Sequence, residues 1–260
     1  MAFQDLKPYT YYKNDKGALF KGDCLELMEL IPDKSIDMVL CDLPYGVTKN
    51  KWDKIISFDL LWEQYERIIK NKGIIILTAV QPFTSMLLMS NKQLFKYSLI
   101  WEKTTPTGFL NANKMPLRIH EDILIFYKKL PTYNPLKTIG HKRKVSTAKH
   151  KRNCIKTTNY NEYEMNTYDS TERYPTSILK FATDKQKESL HLNQKPIALF
   201  EYLIKTYTDE NELVLDNCSG SSTTAISCEN TNRKWLCIEK EEEYCEISKN
   251  RIIILNKKEK

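Results

Sequence analysis

An acid, a proline and an aromatic ring stand together at Asp42-Leu43-Pro44-Tyr45, directly after the apolar run Ile36-Asp-Met-Val-Leu-Cys41. A short apolar run ending in a turn is how a buried parallel strand reads in sequence. The carboxyl ends of such strands are where open α/β sheets bind ligands. Asp42 offers a carboxylate, the turn at Leu43 leaves a backbone carbonyl to accept, and Tyr45 offers a flat ring. Two acceptors hold the two hydrogens of an exocyclic amine while the ring stacks on a planar base. The same residues also make an ordinary Asp-x-Pro turn.

A second stretch, Leu213-Val-Leu-Asp216-Asn-Cys218-Ser219-Gly220-Ser221-Ser-Thr223-Thr224, reads as strand, turn and helix start. Small residues at such a turn let a ligand approach backbone amides and the positive end of a helix. Glu239 follows Asp216 by about 23 residues, at the end of the next apolar run, where a carboxylate can grip ribose hydroxyls. The Gly-x-Gly-x-x-Gly pattern is absent, because Gly220 is the only glycine in this turn. That counts against a nicotinamide or flavin cofactor. The alternative is a serine-rich loop that caps a helix. A third stretch, His191-Leu-Asn-Gln-Lys195-Pro196, places a proline where a first helical turn accepts it.

These groups need elements to position them. Apolar spacing predicts strands over 17–22, 36–41, 73–80, 97–102, 123–127, 212–216 and 235–239. Helices are predicted over 24–30, 60–70, 81–90, 196–207 and 222–230, with a terminal one from Glu242, and Lys72-Gly73 reads as a helix stop. Strands alternating with helices make an α/β fold. Residues 130–190 break the pattern, being rich in Lys, Thr, Asn and Tyr without periodicity, as a functional insertion or a disordered segment is.

The net charge is +7 over 260 residues, but it is segregated. Ile123 to Asn161 contains ten Lys or Arg and no acid, which leaves the remainder of the chain at −3. The densest part holds Lys142, Arg143 and Lys144, then Lys149, Lys151 and Arg152. Such a block is an electrostatic footprint for a polyanion, or else a solvated lysine-rich loop. No apolar run approaches the roughly 18 residues of a membrane span, and the start has no apolar signal region. Seven cysteines without a Cys-x-x-Cys pair argue against a disulfide framework and a zinc ribbon, so a reducing cytoplasm and no metal are expected.

Taken together, the three stretches and their order resemble the β-class DNA amino-methyltransferases that use S-adenosylmethionine. Asp42-Leu43-Pro44-Tyr45 is similar to that family's catalytic Asp-Pro-Pro-Tyr. Residues 216–224 are similar to its cofactor loop, Asp-Pro-Phe-x-Gly-Ser-Gly-Thr-Thr. His191 to Pro196 looks like the element closing over the methionine part of the cofactor, Gly22-Asp23-Cys24 like the element beside its adenine, and Glu239 like its ribose-binding acid. The departures are Leu43 for the first Pro, Asn217-Cys218 for Pro-Phe, and Ser222 for the last Gly.

The resemblance implies a circularly permuted, Rossmann-like class I methyltransferase sheet of seven strands, the last antiparallel. The catalytic half would occupy 1–130, a target-recognition insert 131–190 and the cofactor half 191–260. Asp23, Cys24, His191, Lys195, Asp216, Cys218, Ser219, Gly220, Ser221, Thr223, Thr224 and Glu239 would hold the cofactor. The basic block would meet the phosphates of double-stranded DNA, and a flipped base would stack on Tyr45. Asp at the first motif position favours N6 of adenine over N4 of cytosine. A bacterial or prophage-encoded chain is implied, with any restriction endonuclease a separate polypeptide; a homodimer is left open. The competing readings are a non-catalytic DNA-binding protein of the same fold and an RNA or protein amine methyltransferase. The protein-glutamine type carries Asn where Asp42 stands.

Overall fold

The computed structural model describes residues 3–48, 50, 53–147, 167–183 and 194–258. His191, Lys149, Lys151 and Arg152 lie outside them. Two compact units are present: Met1–Asn134 with Ser177–Lys260, and Pro135–Thr176.

The larger unit is built on one mixed sheet. Its strands are β1 (Thr10–Lys13), β2 (Gly17–Lys21), β3 (Ile36–Cys41), β4 (Ile69–Ala79), β5 (Phe95–Thr107), β6 (Arg118–Tyr127), β9 (Ile178–Phe181), β10 (Leu213–Asp216) and β11 (Lys234–Glu239). They lie side by side as β1, β2, β11, β10, β3, β4, β6, β5, β9. From β2 across to β4 every pairing is parallel, while β6 runs antiparallel to both β4 and β5.

Alternate residues of the central strands feed two cores. Val39, Cys41, Ile75 and Leu77 join one core with Leu27, Leu61, Tyr65, Ile68 and Phe83, from helices α1 (Cys24–Glu29), α2 (Phe58–Ile68) and α3 (Phe83–Ser90). Met38, Leu40, Ile74 and Ile76 join the other with Leu203, Ile204, Ile226 and Ile252, from α4 (Ile197–Tyr207), α5 (Thr223–Asn230) and α6 (Glu242–Lys258). Helices on both faces explain why these strands read as unbroken apolar runs rather than alternating ones. β10 and β3 are parallel neighbours, with Leu215 opposite Val39, yet the helices that follow them join different cores. That makes the boundary between β10 and β3 a topological switch point, where ligand crevices form in open sheets.

The sheet departs from the sequence reading in four places. It has nine strands rather than seven, because β1 and β9 extend its edges. Two strands run antiparallel to their neighbours, β1 at the edge beside β2 and β6 inside the sheet, and both precede β9, β10 and β11 in the chain, so neither is the last. β9 returns the chain to the sheet within the stretch read as insert. Gly73 does not stop a helix: α2 has ended at Ile68, and Gly73 lies in β4 beside the register shift opposite Ile36 to Met38. A Cβ there would stand 2.8 Å from the Asp37 carbonyl, so the close strand approach requires glycine.

In the smaller unit β7 (Lys144–Ser146) pairs antiparallel with β8 (Tyr168–Ser170). Arg143 grips Asp169 with two bonds, at 2.7 and 2.5 Å, and Lys137 pairs with Glu172 at 2.8 Å. The basic block thus draws on acids that follow it in the chain.

Candidate active site

β3 ends at Cys41 and releases Asp42 at the switch point. The carboxylate is met by three donors. Its Oδ1 accepts from the Tyr45 hydroxyl at 2.5 Å and from the Thr78 hydroxyl on the neighbouring β4, and its Oδ2 is 3.0 Å from Lys195 Nζ. The Tyr45 ring is packed 5.2 Å from the Phe83 ring. Burial, with Asp42 alongside, holds the Tyr45 phenol well above its ordinary range, so it stays a donor. The loop beyond is fixed by Asp53, which accepts from the backbone amides of Gly46, Val47 and Thr48.

Lys195 sits just before α4. Its ammonium lies 2.9 Å from Glu121 Oε2 and 5.4 Å from the centre of the Tyr45 ring. Glu121 Oε1 in turn meets Lys103 Nζ at 2.5 Å. Burial opposes the charge on Lys195, but Asp42, Tyr45 and Glu121 outweigh it and raise its pKa. Burial likewise opposes the charge on Glu121, and Lys195 and Lys103 outweigh it, lowering its pKa. The resemblance implies a place for Lys195 at the cofactor; its ammonium touches Asp42 and lines the same cleft as the Asp216 loop. Thr78, Lys103, Glu121, Phe83 and Asp53 were not read from sequence. The available signal was a polar residue set in or beside an apolar strand, as at Thr78 and Glu121.

β10 releases Asp216 beside Asp42, and the small-residue turn follows. Asp216 accepts from the Thr224 hydroxyl at 2.5 Å and from the Cys218 amide at 3.2 Å. Burial lifts its carboxyl to about 6. Glu239, at the end of β11, accepts from the amides of Gly220 at 2.7 Å and Glu241 at 2.8 Å, and burial lifts it to about 7. Asp23 caps α1 through the Leu25 amide and pairs with Lys240 at 3.1 Å. Thr224 is fully buried, and its hydroxyl holds Asp216 in place.

The departures from the family pattern have physical accommodations. Leu43 is buried in the core under the motif. Asn217 is buried, and its side-chain oxygen accepts from the Tyr65 hydroxyl at 2.6 Å. Ser222 has φ +57°, the left-handed region that glycine enters freely and that costs other residues about 1–2 kcal/mol.

One cleft of about 1090 Å³ joins the two ends of this arrangement. Asp42, Leu43, Pro44, Tyr45 and Lys195 line it, as do Asp23, Cys24, Asp216, Cys218, Ser219, Gly220, Ser221, Thr223 and Glu239. Asp216 and Glu239 have no ion-pair partner among the described residues. Two buried acids beside a wall of small side chains suit a cationic donor that carries hydroxyl groups, and S-adenosylmethionine fits that description. Among the described residues no cluster of His, Cys, Asp or Glu suits a metal ion, and no helix is long and apolar enough to cross a membrane.

Residues 36–250 match the family model described as DNA methylase, the N6/N4 methyltransferases. Type II methyltransferase M2.LlaDCHI of Lactococcus lactis subsp. cremoris is 25% identical over 270 residues, covering 93% of this chain and 91% of the relative. M2.MboI of Moraxella bovis is 26% identical over 274 residues, covering 95% and 91%. The solved PvuII DNA methyltransferase (cytosine-N4-specific) superposes with a TM-score of 0.67 at 17% identity, covering 96% of this chain and 94% of that one. The M1.HpyAVI–SAM complex gives 0.62 at 21% identity, covering 91% and 98%. The matched span holds both the Asp42 motif and the Asp216 loop, and the chain belongs to the DNA methylases, S-adenosylmethionine-dependent amino-methyltransferases of the N6/N4 type.

Proposed function

We propose that the chain methylates N6 of adenine at a specific site in double-stranded DNA, taking the base out of the helix to do so. The observation that carries this reading is the Asp42 carboxylate, held by Tyr45, Thr78 and Lys195 in the same cleft as Asp216 and Glu239. A base inside a duplex cannot reach such a cleft, so it must leave the stack. Tyr45 stacks on the flipped base. Asp42 accepts one amine hydrogen and the Leu43 carbonyl the other. These bonds localise the nitrogen lone pair, which otherwise delocalises into the ring and attacks poorly. When bound, S-adenosylmethionine supplies the methyl group. Glu239 grips its ribose, and the turn from Cys218 to Ser221 gives it room. Lys195 keeps the carboxylate turned toward the amine, and fixed geometry of this kind supplies much of the rate.

Asp rather than Ser at position 42 supports adenine. The Pro135–Thr176 unit, with Lys142 and Lys144, supports phosphate contacts that fix position without reading sequence. The type II names of the relatives support a place beside a restriction endonuclease carried on a separate chain. The test is transfer of labelled methyl to unmethylated DNA, followed by digestion to nucleosides. N6-methyldeoxyadenosine supports the reading; N4-methyldeoxycytidine replaces adenine by cytosine as the target.

A further inference from the structure

We infer that the tip of the hairpin joining β5 to β6 is an apolar wedge that fills the gap left in duplex DNA by the extracted base. This rests on the base-flipping reading above. Phe109 is 81% exposed and Leu110 is 99% exposed, both at the same turn. Two adjacent large apolar side chains held out in water mark a surface that something covers.

The tip is built to hold its shape. Gly108 turns the chain with φ +90°, a conformation other residues rarely adopt. Phe109–Asn111 then forms a single 3-10 turn, closed by Asn111 N to Gly108 O at 2.9 Å and Ala112 N to Phe109 O at 3.0 Å. Lys114 N and Met115 N both donate to Asn111 O, at 2.8 and 3.0 Å. A knob fixed by its own backbone loses little conformational entropy when it inserts.

Its position and charge name the occupant. Thr107, Gly108 and Arg118, at the foot of the tip, line the same cleft as Asp42 and Tyr45. From Thr104 to Ile119 the chain carries the exposed Lys114 and Arg118 and no acid. An apolar tip on a cationic stem fits a polyanion with an apolar interior, which is duplex DNA opened at one base step. Apolar side chains inserted between base steps are a general device of DNA-binding proteins, and one seated where a base has left replaces part of the stacking contact that base gave up.

The test uses the whole chain and a synthetic duplex carrying its recognition site, mapped by sequencing DNA from a methylation-free host that expresses it. The target is either paired normally or set opposite an abasic site, which removes most of the opening cost. Both side chains are exposed, so the Phe109→Ala/Leu110→Ala double variant should fold, and unchanged S-adenosylmethionine affinity checks that it has. Turnover on the paired duplex should fall about tenfold or more, the scale of losing one aromatic anchor. On the abasic-opposed duplex it should stay within about twofold of the unmodified chain. An equal loss on both duplexes, or no loss on either, overturns the wedge. So does a wild-type dimer that the substitutions convert to monomer by light scattering, since a second copy would then cover the tip. If the unmodified chain methylates neither duplex, the base-flipping reading itself fails and the wedge fails with it.

Discussion

Replacing Glu121 by Gln removes the one negative charge that lies between two buried ammonium groups. The side chains of Lys103, Glu121 and Lys195 are 8%, 10% and 8% exposed, so water screens them little. With Asp42 the set is neutral; after Glu121→Gln it carries one excess positive charge. Breaking a buried pair by deleting one partner costs about 3–5 kcal/mol. Asp42 still neutralises Lys195 at 3.0 Å, so the loss falls on Lys103. The Trp101 ring, 5.0 Å from that ammonium, offsets about 1 kcal/mol. The net expectation is about 3 kcal/mol. At about 2–4 °C per kcal/mol for a chain of this size, Tm falls by about 6–12 °C. The pKa of Glu121 is lowered in the fold, so its contribution is present above the ordinary carboxylate value and is lost as pH falls through the folded one. The gap between Glu121→Gln and the unmodified chain should therefore be full near pH 7 and close below about pH 4. Adding Lys103→Met restores neutrality and should recover most of the loss. Thermal melts of the three proteins across pH decide it. A Tm shift under about 2 °C, or a double variant no more stable than Glu121→Gln alone, would refute the charge accounting.

Glu239→Ala should weaken S-adenosylmethionine binding by about 1.5–3 kcal/mol in calorimetry, the range for hydrogen bonds to a charged group. The Glu239 pKa is raised to about 7, so its ionisation costs the unliganded fold stability as pH rises from the ordinary carboxylate value through 7. Ribose hydroxyls donate to the ionised form, so affinity should climb between about pH 6 and 8 and level off above; a flat profile rejects the role. Neutralising Lys142 and Lys144 should lower the slope of log DNA affinity against log salt by about 2, at about 0.9 per phosphate contact. Arg143→Gln should change it less, because that side chain is held by Asp169. Gly17→Ala should destabilise by about 1–3 kcal/mol in thermal melts, since its Cβ would come within 2.2 Å of the Trp235 ring.

The central strands were legible because both of their faces are buried, which forces continuous apolar runs such as Ile74 to Leu77. β1 was not, because Tyr11 and Tyr12 sit half-exposed at the sheet edge and its ends are in water. β5 and β6 run longer than read, since Thr104 to Thr107 and Arg118 to His120 extend into solvent, where no apolar pattern is required. The acids of the site were legible at strand ends, where Asp42 directly follows β3 and Asp216 is the last residue of β10. Their partners were not: Thr78, Glu121 and Lys103 come from three strands, and only the sheet order brings β4, β6 and β5 together. Lys195 was found, but local sequence gave no hint that its ammonium would meet Asp42.

In the proposed reaction Asp42 acts on the target amine and not on the methyl donor. Asp42→Ala tests it most directly, with methyl transfer to unmethylated DNA and S-adenosylmethionine affinity measured on the same preparation. Like Glu121→Gln, the variant leaves one excess positive charge in the buried set, but Lys195 keeps Glu121 at 2.9 Å and the lost carboxylate is 29% exposed, so a thermal melt of the same preparation checks that it is folded. Transfer should fall about a thousandfold, the scale of losing one positioned catalytic group, while cofactor affinity stays within about threefold, a difference of under about 1 kcal/mol. Turnover near that of the unmodified chain, or affinity that collapses together with transfer, would contradict the account.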